Sequence, residues 1–219
     1  MALTAGLRST IAPSSSRCTK RRAYALPERA GSSTIPPFSC TPRLMNTTPE
    51  VVCPGCGLRM PENPGATGHA YYNASRECWA VYSEVLGAEY SHAVIFGQVH
   101  QLTVDAYAVQ HAGGEHPDKS VGIHLAGLHL TLVRSIRPPL VPPYLQQLAE
   151  SVETWPHFEP TKTAWRFTVF DVALVAGELE DHTRVVREWS AEVWEAWSPY
   201  HDAIAALVEQ HLGADLSRS

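Results

Sequence analysis

Apolar residues recur at intervals of three and four along much of this chain, a spacing that only a helix turns into one continuous face. The stretch "EDHTRVVREWSAEVWEAW" shows it most clearly: Val186, Trp189, Val193 and Trp197 fall on one stripe, with Glu180 and Asp181 near the positive end of the helix dipole. "SRECWAVYSEVLGAEY" repeats the pattern with Trp79, Tyr82, Val85, Leu86 and Tyr90, and Ser75 stands where a cap belongs. "SHAVIFGQVHQLTVDAYAVQHAGG" predicts a long central helix, capped by Ser91, faced by Val99, Leu102, Ala106 and Val109, and stopped by Gly113 and Gly114.

"DKSVGIHLAGLHLTLVRS" is apolar over most of its circumference and predicts a helix buried against several neighbours, ended by "RPPLVPP". A short helix is expected near "YLQQLAESVE", and Thr168 with Asp171 has the form of a capping box opening "VFDVALVAGEL". Ser198 and Pro199 look like the cap and first residue of a last helix reaching Leu212. No segment shows the two-residue alternation of a half-buried strand. The expected fold is mainly α, an irregular bundle of about six helices with a cysteine knuckle at its N-terminal entrance.

Charge divides the chain. Residues 1–45 hold seven Lys and Arg against one acid, Glu28, whereas the remainder carries a net charge of −11. The first 44 residues are rich in Ser, Thr, Pro and Arg without an apolar period, and are expected to be a disordered basic extension. Such a composition is shared by organelle transit peptides, but a start at Met45 is the simpler reading, with 45–219 as a single helical domain. The acidity of that domain argues against a nucleic-acid partner, since neutralising phosphates needs a basic face. No run approaches the roughly 18 apolar residues of a membrane span, and no signal-peptide core is present. A soluble, cytoplasmic protein is expected, with a small molecule or another protein as its partner.

"VVCPGCGLRM" places Cys53 and Cys56 around Pro54 and Gly55, a tight turn that converges two thiolates on one ion. Downstream, His69 and Cys78 complete Cys-x2-Cys-x12-His-x8-Cys, the spacing of a Cys3His zinc site. A redox dithiol needs its first cysteine at a helix N-terminus, and the turn-rich "GLRMPENPGATG" that follows is no helix. Zinc ranks first, a pair of unliganded loop thiols second and a dithiol switch third.

All eleven histidines lie after residue 68. His100 and His111 share a face of the central helix but stand roughly 16 Å apart at about 1.5 Å per residue, too far for one ion. Asp105 lies roughly 140° around the helix from His100 and is expected to point toward His124 or His129 on the next helix. His100, Asp105, His111, His124 and His129 are therefore candidates for a metal or acid–base pocket, against the alternative of a buried hydrogen-bond network. The Glu-x-x-His repeats of di-iron bundles and the His-Glu-x-x-His of zinc proteases are both absent.

Taken together, "CPGCG", "ECWAVYSEVL", "HQLTVDAYAVQH", "HLAGLHLTL" and "EVWEAWSPYH" resemble an uncharacterised bacterial family known only as a domain of unknown function, from about Val51 to Leu212. The resemblance implies a cytoplasmic home and a start near Met45, and brings no activity or catalytic residue. Two functions are expected to compete: a zinc-stabilised helical domain that binds a small molecule or partner, and a metal-dependent hydrolase or transferase using the His/Asp cluster.

Overall fold

A computed structural model describes residues 49–162 and 164–217. The expected extension over 1–44 lies outside the described residues. The chain begins with a two-stranded antiparallel hairpin, β1 (Glu50–Val52) and β2 (Arg59–Pro61), in the register Val51 opposite Met60. Seven α-helices follow among the described residues: α1 (Arg76–Tyr90), α2 (Ala93–Gln110), α3 (Asp118–Leu128), α4 (Val141–Ser151), α5 (Val169–Ala173), α6 (Leu179–Ala196) and α7 (His201–Leu216). A π-helical turn (His129–Val133) continues α3, and short 3-10 turns precede α4 and α7.

Helix α2 is the axis, packed chiefly between α6 and α3. Its expected face is buried as a unit, since Val99, Leu102, Ala106 and Val109 are all at most 1% exposed. Burial of each larger side chain contributes about 1.5–3 kcal/mol against solvent exposure. The α6 stripe supplies the opposing surface with Val186, Trp189 and Val193, and Trp197 is buried just beyond its end. Tyr90, expected on the apolar face of α1, is instead exposed at the helix end.

The caps follow local chemistry. The Ser75 side chain accepts from the Cys78 amide and starts α1, and Thr168 with Asp171 forms the capping box of α5. Ser91 does not cap α2: its hydroxyl turns back to the Gly87 carbonyl, and the imidazole of His92 accepts from the Ile95 amide instead. The last helix runs through Gly213 to Leu216. The described helices carry no segment long and apolar enough to cross a membrane.

Candidate metal centre

The β1–β2 hairpin carries Cys53 and Cys56 at its tip. The Cys53 amide donates to the Leu58 carbonyl at 2.8 Å and the Gly57 amide to the Cys53 carbonyl at 2.9 Å, which folds the loop back on itself. Gly57 takes φ 75°, a conformation glycine adopts without cost. Gly55 has a different reason: a Cβ there would lie 2.5 Å from the Asn73 carbonyl oxygen and 2.8 Å from His111 Cδ2. The knuckle thus presses against the segment before α1 and against the end of α2.

Cys78 enters from the first turn of α1, and His111 from the C-terminal cap of α2. One ligand atom from each of Cys53, Cys56, Cys78 and His111 lies within 4.8 Å of all the others, and all four residues are buried. Cys56 Sγ is 3.7 Å from Cys78 Sγ, and His111 Nε2 is 3.4 Å from Cys78 Sγ. Tetrahedral bonds of about 2.3 Å to sulfur and about 2.0 Å to nitrogen put S–S edges at about 3.8 Å and S–N edges at about 3.5 Å. The thiols are free, at a separation that suits a shared ion rather than a disulfide.

The shell around these atoms orients them. His111 Nδ1 sits 2.8 Å from the Tyr107 carbonyl, so Nδ1 carries the proton and Nε2 keeps its lone pair. The Ser75 amide donates to Cys53 Sγ at 3.5 Å, and the Tyr107 hydroxyl lies 3.7 Å from Cys78 Sγ. The thiols also polarise one another. Hydrogen bonds from Cys56 and Cys78 hold the Cys53 thiol far below its ordinary range, while donation to Cys53 and burial push Cys56 up to about 12 and raise Cys78 as well. A divalent cation held by the group would supply the positive charge that favours the thiolate form of all three cysteines.

His69 is not part of this group, contrary to its expected place as fourth ligand. Its ring stacks on Tyr72 at 4.2 Å and packs against Trp79 at 4.6 Å, while Nδ1 accepts from the Tyr71 and Tyr72 amides. His111 takes the position, from a helix that is distant in sequence.

The five histidine and aspartate candidates do not converge. His111 joins the cysteines. His100 Nδ1 lies 2.7 Å from Glu89, a fully buried carboxylate that also accepts from Thr103 at 2.6 Å and from His182 at 3.0 Å. Burial pushes the Glu89 carboxyl up, but bonds from His100, His182 and Thr103 outweigh it and leave its pKa lowered. Asp105 meets His124, as one of its two expected partners: Oδ1 accepts from His124 Nδ1 and from Gln101, each at 2.8 Å. Its Oδ2 has no partner and lies where a Gly127 Cβ would be, 2.2 Å away, so only glycine lets the carboxylate sit there. Burial raises the Asp105 pKa despite His124. His129 lies apart, buried near Trp194 with its own pKa lowered by burial.

Beside the knuckle opens a cleft of about 390 Å3, walled by Pro54, Gly55, His116, Phe158, Trp165 and Trp197 among others. The Trp165 indole donates to the Gly55 carbonyl at 3.3 Å, so this wall is fixed to the cysteine loop.

No curated protein and no solved structure matches this chain. A family model, described as a family of unknown function, matches residues 51–198, a span that takes in Cys53, Cys56, Cys78, His111 and every helix up to α6. The chain belongs to that family of unknown function, DUF5946.

Proposed function

We propose that the protein is a zinc-stabilised helical domain that binds a small molecule in the cleft beside its cysteine knuckle. The observation that carries the zinc reading is the buried convergence of Cys53, Cys56, Cys78 and His111, whose ligand atoms all lie within 4.8 Å of one another. Three thiolates and one imidazole suit zinc, and a site with four protein ligands leaves no position for substrate, which is the form of a structural zinc. Zinc there joins the hairpin, α1 and α2. Metal binding then becomes folding free energy, because the unfolded chain has no such site.

The cleft supports the binding half of the reading, since it combines aromatic walls with a few polar groups at the size of a small ligand. The proposal extends to a reducing compartment such as the cytoplasm, where three thiols stay free to hold a metal. Elemental analysis of purified protein tests the zinc reading: about one zinc per chain is expected, and Cys53→Ser should lose it. Retention of full zinc by that variant overturns the assignment. Native mass spectrometry of gently purified protein tests the binding half, with a mass beyond protein plus zinc expected and zinc alone counting against it.

A further inference from the structure

A pocket of about 400 Å3 lies between β2, α1 and α5, and it shares no wall residue with the cleft beside the knuckle. One wall is a stripe of α1. Glu77, Ala80, Val81 and Glu84 stand at the spacing i, i+3, i+4, i+7, which keeps side chains on a single helix face. A carboxylate therefore sits at each end of the stripe, with small apolar side chains between. Seven residues of helix separate the two acids by about 10.5 Å along the axis. Phe170 lines the pocket from α5, and Glu62 and Asn63 line it just beyond β2.

The wall carries three carboxylates, Glu62, Glu77 and Glu84, and no Lys, Arg or His. Glu77 is only 3% exposed. Its Oε1 accepts from the Asn63 amide at 3.1 Å, and its Oε2 has no hydrogen-bond partner. An amide donor favours the charged form of a carboxylate, and a buried charge without a counter-ion is unfavourable. Arg76, next to Glu77 in sequence, is exposed and does not line the pocket. Walls that carry one sign of charge over a low-dielectric interior focus their field into the space between them, which here draws in cations. A lone metal ion does not fit the arrangement, because among the described residues the only side chains gathered closely enough to share one are Cys53, Cys56, Cys78 and His111. Acids spread along an apolar stripe match positive charges spread along an apolar chain.

We propose that this pocket binds an aliphatic polyamine, with ammonium groups at Glu62, Glu77 and Glu84 and methylene segments along Ala80 and Val81. A polyamine alternates cationic nitrogens with short methylene runs, the complement of carboxylate, alanine, valine and carboxylate along α1. An extended triamine covers the span between the two acids of the stripe. Phe170 adds an aromatic ring, to which an ammonium is also drawn. The site stands apart from the reading of the cleft and holds whether or not that cleft takes a ligand.

The test titrates spermidine into the full-length, zinc-loaded protein by calorimetry at about 0.15 M salt, where charges beyond about 8 Å are largely screened. A single saturable site per chain is expected. Glu77→Gln should weaken it by about 10-fold or more, and Glu84→Gln, at an exposed position, by about 2- to 5-fold. Glu77 precedes the zinc ligand Cys78, so zinc content and melting temperature are read on the same variant. Ala80→Lys keeps every carboxylate and sets an ammonium in the middle of the stripe; it should abolish spermidine binding, and it decides the matter if Glu77→Gln loses zinc. Mg2+ at equal ionic strength should fail to displace spermidine. No saturable binding by the wild type, wild-type affinity in Ala80→Lys or in zinc-loaded Glu77→Gln, or ready displacement by Mg2+ overturns the proposal.

Discussion

Replacing Gly55 by alanine puts a methyl group where the knuckle meets the rest of the site. The new Cβ would stand 2.5 Å from the Asn73 carbonyl oxygen, 2.8 Å from His111 Cδ2 and 3.0 Å from His111 Cα. Ordinary contact begins near 3.4 Å, so the loop must retreat by about 0.9 Å from backbone that cannot swing aside. Metal–ligand distances tolerate only about 0.2 Å. The loop carries Cys53 and Cys56, so its retreat pulls two sulfurs away from Cys78 and His111. Overpacking of this kind costs about 1–3 kcal/mol, or roughly 2–12 °C in melting temperature for a chain of this size. Zinc affinity should fall by about 10- to 100-fold, the usual effect of disturbing the groups around a metal's ligands. Competition against a chromophoric chelator reads the affinity, and a thermal melt reads the stability. Wild-type zinc affinity in Gly55→Ala would show that the knuckle does not press on His111 as described.

Three further outcomes are expected. Asp105→Asn can keep the bonds from Gln101 and His124 but places an amide NH2 without a partner against Gly127; stability should fall by about 1–3 kcal/mol with zinc content unchanged, and zinc loss in that variant would contradict the separation of the two clusters. The lowered pKa of Glu89 means its contribution to stability is fully present above the unfolded carboxyl value near 4.3 and is lost as pH falls through the folded value. The melting-temperature gap between wild type and Glu89→Gln should therefore be widest near neutral pH and close in acid, and a gap that widens in acid would refute the sign. Deletion of residues 1–44 should leave the melting temperature unchanged, and a drop of several degrees would show that this segment packs on the helical part.

Local chemistry made some elements readable and left others hidden. Ser75 and Thr168 cap helices through side-chain bonds to amides two or three residues away, so their roles are written within a few letters of sequence. The stripes of α2 and α6 were equally legible because each face buries as one surface. The β hairpin was not, since strands of three residues are too short to show alternation. His111 was misplaced for a different reason. Spacing along the chain favours His69, between Cys56 and Cys78, whereas the packing of α1 against α2 brings in a residue 33 positions beyond Cys78. A signal was present in hindsight: a histidine two residues before Gly-Gly, one turn after Tyr107, can bond that carbonyl through Nδ1 and present Nε2 outward. The Glu89 network is hidden in the sequence because its three partners come from two other helices, α2 and α6; His182, whose spacing from Glu178 suggests a surface pair, is instead fully buried against Glu89, 93 residues away.

Zinc content after chelator challenge, compared between His111→Ala and His69→Ala, tests the centre most directly. The His111 ring is fully buried with Nε2 against Cys78, while the His69 ring packs on Tyr72 and Trp79 away from the sulfurs. His69→Ala should keep about one zinc per chain, and His111→Ala should release it to the chelator. Zinc retained by His111→Ala and lost by His69→Ala would contradict the Cys53, Cys56, Cys78 and His111 site.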